Sequence, residues 1–143
     1  MNINQIIKIL EKTDSFGTQT DSFLNTLAFT AEKTEYSTGD LIIKSGEKNV
    51  KCIVILDGKA YIQKKLGPIE LKAGSVVGLL SLINNTYPKN ALIAGAKTIA
   101  MAIDRELFDK LSEEFPDFNK NLKYKLISDL NKKVSGLQKV FGQ

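Results

Sequence analysis

Apolar and polar positions change rhythm twice along this chain. Near the start, Ile6, Ile7, Ile9 and Leu10 recur at helical spacing between Asn4 and Lys12, and the Gly-, Ser- and Thr-rich stretch from Asp14 to Thr20 ends that helix. A second short helix is expected from Asp21, an acceptable N-cap, through Phe23, Leu24 and Leu27. From Glu35 the pattern is one of strands and turns. Leu41-Ile42-Ile43 reads as a short strand between the turn segments Ser37-Thr38-Gly39-Asp40 and Ser45-Gly46-Glu47-Lys48-Asn49. Cys52 to Leu56 is rich in branched residues, and Asp57-Gly58 after it is a hairpin signal, because both central residues of a type I′ turn need positive φ. The return strand, Lys59 to Lys65, sets Ala60 and Ile62 on one face and Lys59, Tyr61 and Gln63 on the other. Leu66-Gly67-Pro68 turns the chain into a brief strand, Ile69-Glu70-Leu71, and two more strands are expected over Ala91–Ala94 and Thr98–Ile103.

The helical rhythm then returns. Asp104 caps a helix from Arg105 to Glu114 with Leu107, Phe108 and Leu111 inward, and Pro116 ends it. Asp117 caps a longer helix whose last apolar positions, Ile127, Leu130, Val134, Leu137 and Phe141, step by three, four, three and four. Such a stripe is either the seam of a short coiled coil or a face that lies on the protein's own sheet, so this helix is a candidate homodimer or protein-partner surface. Short strands at this spacing between helical ends predict an α+β fold: an eight-stranded, jelly-roll-like β-roll (a double-stranded β-helix) with helices packed outside it. The expected division of the single domain, 1–143, is N-terminal helices in 1–34, the roll in 35–103 and C-terminal helices in 104–141.

Composition narrows the function classes. With 143 residues, 43% hydrophobic and 25% charged, the chain suits one globular domain with a real core. The longest nearly apolar segment, Ala91–Ile103, is broken by Lys97 and falls short of the roughly eighteen residues that span a bilayer, so no membrane partner is expected. The first residues lack a basic leader, and Cys52 is the single cysteine, which leaves no intramolecular disulfide and points to the cytoplasm. The net charge of +4 comes from lysines spread along the chain and densest near the C-terminus; without an aromatic-and-basic pattern they read as a solvated helix face rather than a nucleic-acid module. There is no histidine, which removes the usual general acid–base, triad and zinc chemistries and disfavours a metal-dependent double-stranded β-helix enzyme. No pair of acids stands out by its spacing. The expectation is a protein that is not an enzyme, with no catalytic residues, no metal and no cofactor.

One stretch remains, Gly74–Ala91, GSVVGLLSLINNTYPKNA. It is either a buried helix with a tight turn or an anion cradle, in which glycine admits a ligand to the unpaired N–H groups of a helix start and Lys89 adds a cation. Its setting favours the second. Gly39-Asp40-Leu41-Ile42-Ile43 with Gly46-Glu47, then Ile55-Leu56-Asp57-Gly58-Lys59-Ala60, then Gly74–Ala91 resemble, in order, three signatures of the cyclic nucleotide-binding domain family. The likeness runs from about Leu24 to about Leu130, and Ile99–Ile103 followed by Asp104-Arg105-Glu106-Leu107-Phe108 resembles the family's step into its C-terminal helices.

The resemblance implies a phosphate-binding cassette over 74–91, with Gly78, Leu79, Leu80, Lys89, Asn90 and Ala91 as candidate ligand residues and cyclic AMP or cyclic GMP as the ligand. In the family a glutamate takes the ribose 2′-hydroxyl and an arginine pairs the cyclic phosphate. Here Leu79 stands in the glutamate's place and Lys89 in the arginine's, while Gly78, Ser81, Pro88 and Ala91 match. Leucine accepts no hydrogen bond, a loss of about 1.5–3 kcal/mol, and lysine keeps the charge without the planar fork. Weak or altered binding of a cyclic nucleotide or another small anion is the resulting expectation, with the double change Leu79→Glu and Lys89→Arg expected to tighten it. The chain ends at Gln143 without a helix-turn-helix, so DNA is not an expected partner. The alternative is a ligand-free adaptor that acts by dimerisation or contact with another protein, in which Leu79 fills the pocket.

Overall fold

The computed structural model describes the backbone of residues 1–141 and the side chains of residues 1–128. Two helices, α1 (Ile3–Lys12) and α2 (Asp21–Thr30), precede the strands. Asn2 closes a reciprocal capping box with Gln5 at the head of α1. The cap of α2 is Thr20 rather than Asp21: the Thr20 hydroxyl accepts the Phe23 N–H at 3.2 Å, and Asp21 sits in the first turn, where its charge favours the helix dipole.

Eight strands form two four-stranded antiparallel sheets. The first sheet has the order β1 (Glu32–Tyr36), β8 (Thr98–Asp104), β3 (Lys51–Asp57), β6 (Val76–Val77). The second has the order β2 (Leu41–Ile43), β7 (Leu92–Ala94), β4 (Lys59–Lys64), β5 (Gly67–Lys72). A six-residue helix, α3 (Leu79–Asn84), interrupts the strands, and α4 (Arg105–Glu114) and α5 (Pro116–Phe141) close the chain. This is the α+β roll with flanking helices that the strand spacing predicts. None of the helices described is long and apolar enough to cross a membrane.

β3 is the shared wall. Its residues alternate between two apolar clusters: Cys52, Val54 and Leu56 pack against the helical layer with Met101 and Ile103, while Ile53 and Ile55 point between the sheets with Ile43, Ala60, Leu92 and Ala100. Being dry on both faces, it reads as a continuous hydrophobic run. On the helical side, Phe23 and Phe118 lie 4.3 Å apart between ring centroids, with Phe16, Phe108 and Phe115 around them, so one aromatic cluster fastens α2 to both C-terminal helices. Asp104 caps α4 as expected, accepting the Leu107 N–H at 2.8 Å. Phe115 closes α4, and Pro116 opens α5, where its missing N–H costs nothing.

Three further expectations are corrected. The strands begin at Glu32, inside the segment assigned to N-terminal helices, because Glu32–Tyr36 pairs along its whole length with β8. Val76-Val77 is strand rather than helix, paired with Val54 and Ile53, and the helix starts only after Gly78 turns the backbone at φ +89°. Asp57-Gly58 does not join a hairpin. β3 and β4 lie in different sheets, only Gly58 has positive φ, and the pair is the corner where the chain changes sheet. The corner is fixed by buried Thr98, whose hydroxyl lies 2.9 Å from the carbonyl oxygens of Lys59 and Ala96. A Cβ on Gly58 would stand 2.5 Å from the Lys97 carbonyl oxygen.

Candidate functional site

Between the two sheets, at the end where β2 stops and β3 begins, lies an open cavity of about 350 Å³. Its apolar wall is Ile42, Ile43, Val50, Ile62, Val77 and Pro88. Its polar wall is Lys44, Glu47 and Asn49 from the β2–β3 connection, Lys51 at the start of β3, and Gly78, Ser81, Lys89 and Asn90 from the 74–91 segment. A cleft of this size, with an apolar wall facing a polar one, can admit a small molecule.

The two polar segments are stitched together. The Gly46 N–H donates to the Pro88 carbonyl at 2.7 Å, and the Ser45 hydroxyl donates to the Lys89 carbonyl at 2.8 Å. The Lys89 backbone is thereby anchored, and the residue stands exposed at the rim of the cavity. Glu47 accepts the Asn49 N–H at 3.1 Å, which shapes the loop that carries it. At the other side, Gly78 approaches β3 so closely that a Cβ there would lie 2.5 Å from the Lys51 carbonyl oxygen. This glycine is required by backbone geometry whether or not a ligand is bound. Asn85, left-handed at φ +54°, ends α3, and the Thr86 N–H returns to the Ser81 carbonyl at 3.1 Å.

The structure divides the residues singled out in the sequence. Gly78, Lys89 and Asn90 meet at the cavity. Leu79 does not reach it: its side chain is 6% exposed and belongs to the helix-side cluster with Leu82. The cavity is therefore not filled by Leu79. Leu80 is 44% exposed and turned outward, and Ala91 is half-buried without lining the cavity. With only six residues, α3 supplies a short dipole, so an anion here would depend on side-chain cations more than on the helix start that the sequence suggested. Lys44, Glu47, Asn49 and Lys51 went unnoticed among the candidates. One signal for Lys51 was present, because it shares the alternate face of β3 with Ile53 and Ile55 and so extends the interior stripe with a cation. Of the C-terminal stripe, Ile127 is 59% exposed; Leu130, Val134, Leu137 and Phe141 lie outside the residues whose side chains are described.

The chain is thus a β-roll with a short helix at its pocket and helices packed on one side. Two solved structures share this fold. The N-terminal domain of a transcriptional regulator from Streptomyces coelicolor A3(2) has a TM-score of 0.80 at 15% identity, over 90% of this chain and 93% of that one. The regulatory subunit of a cAMP-independent protein kinase A from Trypanosoma brucei has a TM-score of 0.66 at 22% identity, over 83% of this chain and 46% of that one. No protein-family model and no curated protein matches the sequence.

Proposed function

We propose that this chain is a non-catalytic regulatory module whose pocket captures a small anionic ligand, weakly for a cyclic nucleotide, and whose C-terminal helices carry the response. The observation behind this reading is the open cavity at Gly78 and Lys89, with Leu79 packed elsewhere. The nearest charged groups favour an anion, and the apolar wall suits an organic body. The fold supports a regulatory role by analogy with the two neighbours, one a transcriptional regulator domain and one a kinase regulatory subunit. A ligand shifts such a module only by binding one arrangement of its helices more tightly than another.

Calorimetry and thermal unfolding with cyclic AMP and cyclic GMP test the reading. A ligand present at ten times its Kd stabilises the folded state by about 1.4 kcal/mol, which for a chain of this size raises the Tm by about 4 °C. No heat and no shift with either nucleotide at millimolar concentration would remove cyclic nucleotides from the reading. A second reading, an adaptor that dimerises through α5, is favoured by the exposure of Tyr124 and Ile127 one helical turn apart. Light scattering decides it: a dimer that Ile127→Lys converts to monomer supports the adaptor, and a wild-type monomer at high concentration rejects it.

A further inference from the structure

Resting on the reading of this cavity as an anion site, we propose that it selects small dianions of the phosphate-monoester class with an apolar body, in preference to the singly charged cyclic diester. Lys44, Lys51 and Lys89 are exposed residues that border the cavity, and Glu47 is the one acidic residue among its lining, a formal balance of three positive charges to one negative. The lysines come from three separate segments: the end of β2, the start of β3 and the loop after α3. None of the three forms an ion pair among the described residues. Lys51, exposed at the start of β3, shares by strand alternation the face that carries Ile53 and Ile55. Strand pairing sets Asp104 opposite it, and that carboxylate is engaged in capping α4 through the Leu107 N–H.

Lysine presents a compact point charge rather than a fork, so recognition by several lysines follows the charge on the ligand more than its shape. A phosphate monoester carries about 1.5 to 2 negative charges at neutral pH, a diester about one. The two features that would favour the diester are weak here. Leu79 offers nothing to a ribose hydroxyl and lies outside the cavity, and Lys89 cannot clasp the cyclic phosphate through two parallel bonds. Ile42, Val50 and Ile62 give the ligand's body an apolar surface.

The test uses the full chain in low salt at about pH 8, where the monoester is fully dianionic. Calorimetry compares phenyl phosphate with methyl phenyl phosphate, which share a ring, and adenosine 5′-monophosphate with cyclic AMP, which share a nucleoside. The monoester is expected to bind tighter in each pair by about tenfold, a difference of about 1.4 kcal/mol. Lys51→Met, which keeps the aliphatic stem, and separately Lys89→Gln, should each bring that ratio down toward unity. Binding of the diesters as tight as the monoesters overturns the inference while leaving the anion site standing; no binding of any of the four compounds overturns both. A preference that survives unchanged in both variants overturns the assignment of the charge selection to these lysines.

Discussion

Replacing Leu79 by glutamate introduces the residue type that the cyclic nucleotide-binding motif resembled by the 74–91 segment uses for the ribose, and the structure predicts the opposite of what that resemblance suggests. The side chain at this position is packed with Leu82 against the helical layer, away from the cavity. Leaving the leucine's burial unfulfilled costs about 2 kcal/mol. A carboxyl held in that apolar cluster stays protonated, and neutralising it at about pH 7.5 against an unfolded value near 4.3 costs about 4 kcal/mol more. The sum, about 6 kcal/mol, is comparable to the whole stability of a typical domain, about 5–15 kcal/mol. The sign follows from linkage. The folded state holds the proton more tightly than the unfolded chain, so the penalty grows as pH rises from the unfolded value toward the raised folded one. Urea unfolding of wild type and variant at about pH 5 and about pH 7.5 should show the stability gap widening by about 3 kcal/mol at the higher pH. A variant within about 1 kcal/mol of wild type at both pH values, with tightened cyclic AMP binding, would refute the reasoning, since the carboxylate would then be reaching the cavity. By the same reasoning the double variant Leu79→Glu, Lys89→Arg should bind cyclic AMP no more tightly than Lys89→Arg alone.

Gly78→Ala should lower stability by about 2–5 kcal/mol, from the left-handed φ of +89° and the contact with the Lys51 carbonyl oxygen together; equilibrium unfolding measures it. Phe118→Ala should cost about 3–5 kcal/mol by opening the aromatic cluster between α2 and the C-terminal helices, measured the same way. Cys52, fully buried with its thiol pushed up to about 12, should be silent to a thiol reagent in the native protein and react on unfolding. The same shift makes stability fall above about pH 9, by about 1.4 kcal/mol per pH unit, as the unfolded thiol ionises and the folded one does not; Cys52→Ala should flatten that decline.

The strands rich in branched residues and the capped helix α4 were legible in the sequence because their signals are local. Cys52–Leu56 and Thr98–Ile103 announce themselves as strands by composition, and Asp104 lies where a cap belongs. β1 was hidden because Glu32-Lys33-Thr34-Glu35-Tyr36 has no apolar alternation; its strand character comes from pairing with β8, far along the chain. Val76-Val77 merged with the apolar run after it, and only the left-handed turn at Gly78 separates strand from helix. Asp57-Gly58 carries the chemistry of a tight reversal, but composition does not say whether the chain returns along the same sheet or crosses to the other. Of the candidate site, the 74–91 segment was legible through its resemblance to a known motif. Its partner wall was not, because Lys44, Glu47, Asn49 and Lys51 have the composition of an ordinary surface turn until the roll folds them against Gly78 and Lys89.

The alternation of β3 between two dry compartments has an evolutionary consequence. Cys52, Val54 and Leu56 belong to the helical compartment, Ile53 and Ile55 to the compartment that opens into the cavity, and few residues serve both. Substitutions that retune what the cavity accepts can accumulate without loosening the attachment of the helices, and the helices can acquire new contacts without reshaping the cavity. Position 79 illustrates this independence: Leu79 packs in the helical compartment and does not line the cavity. A fold built this way can change its cavity and its helical surface separately.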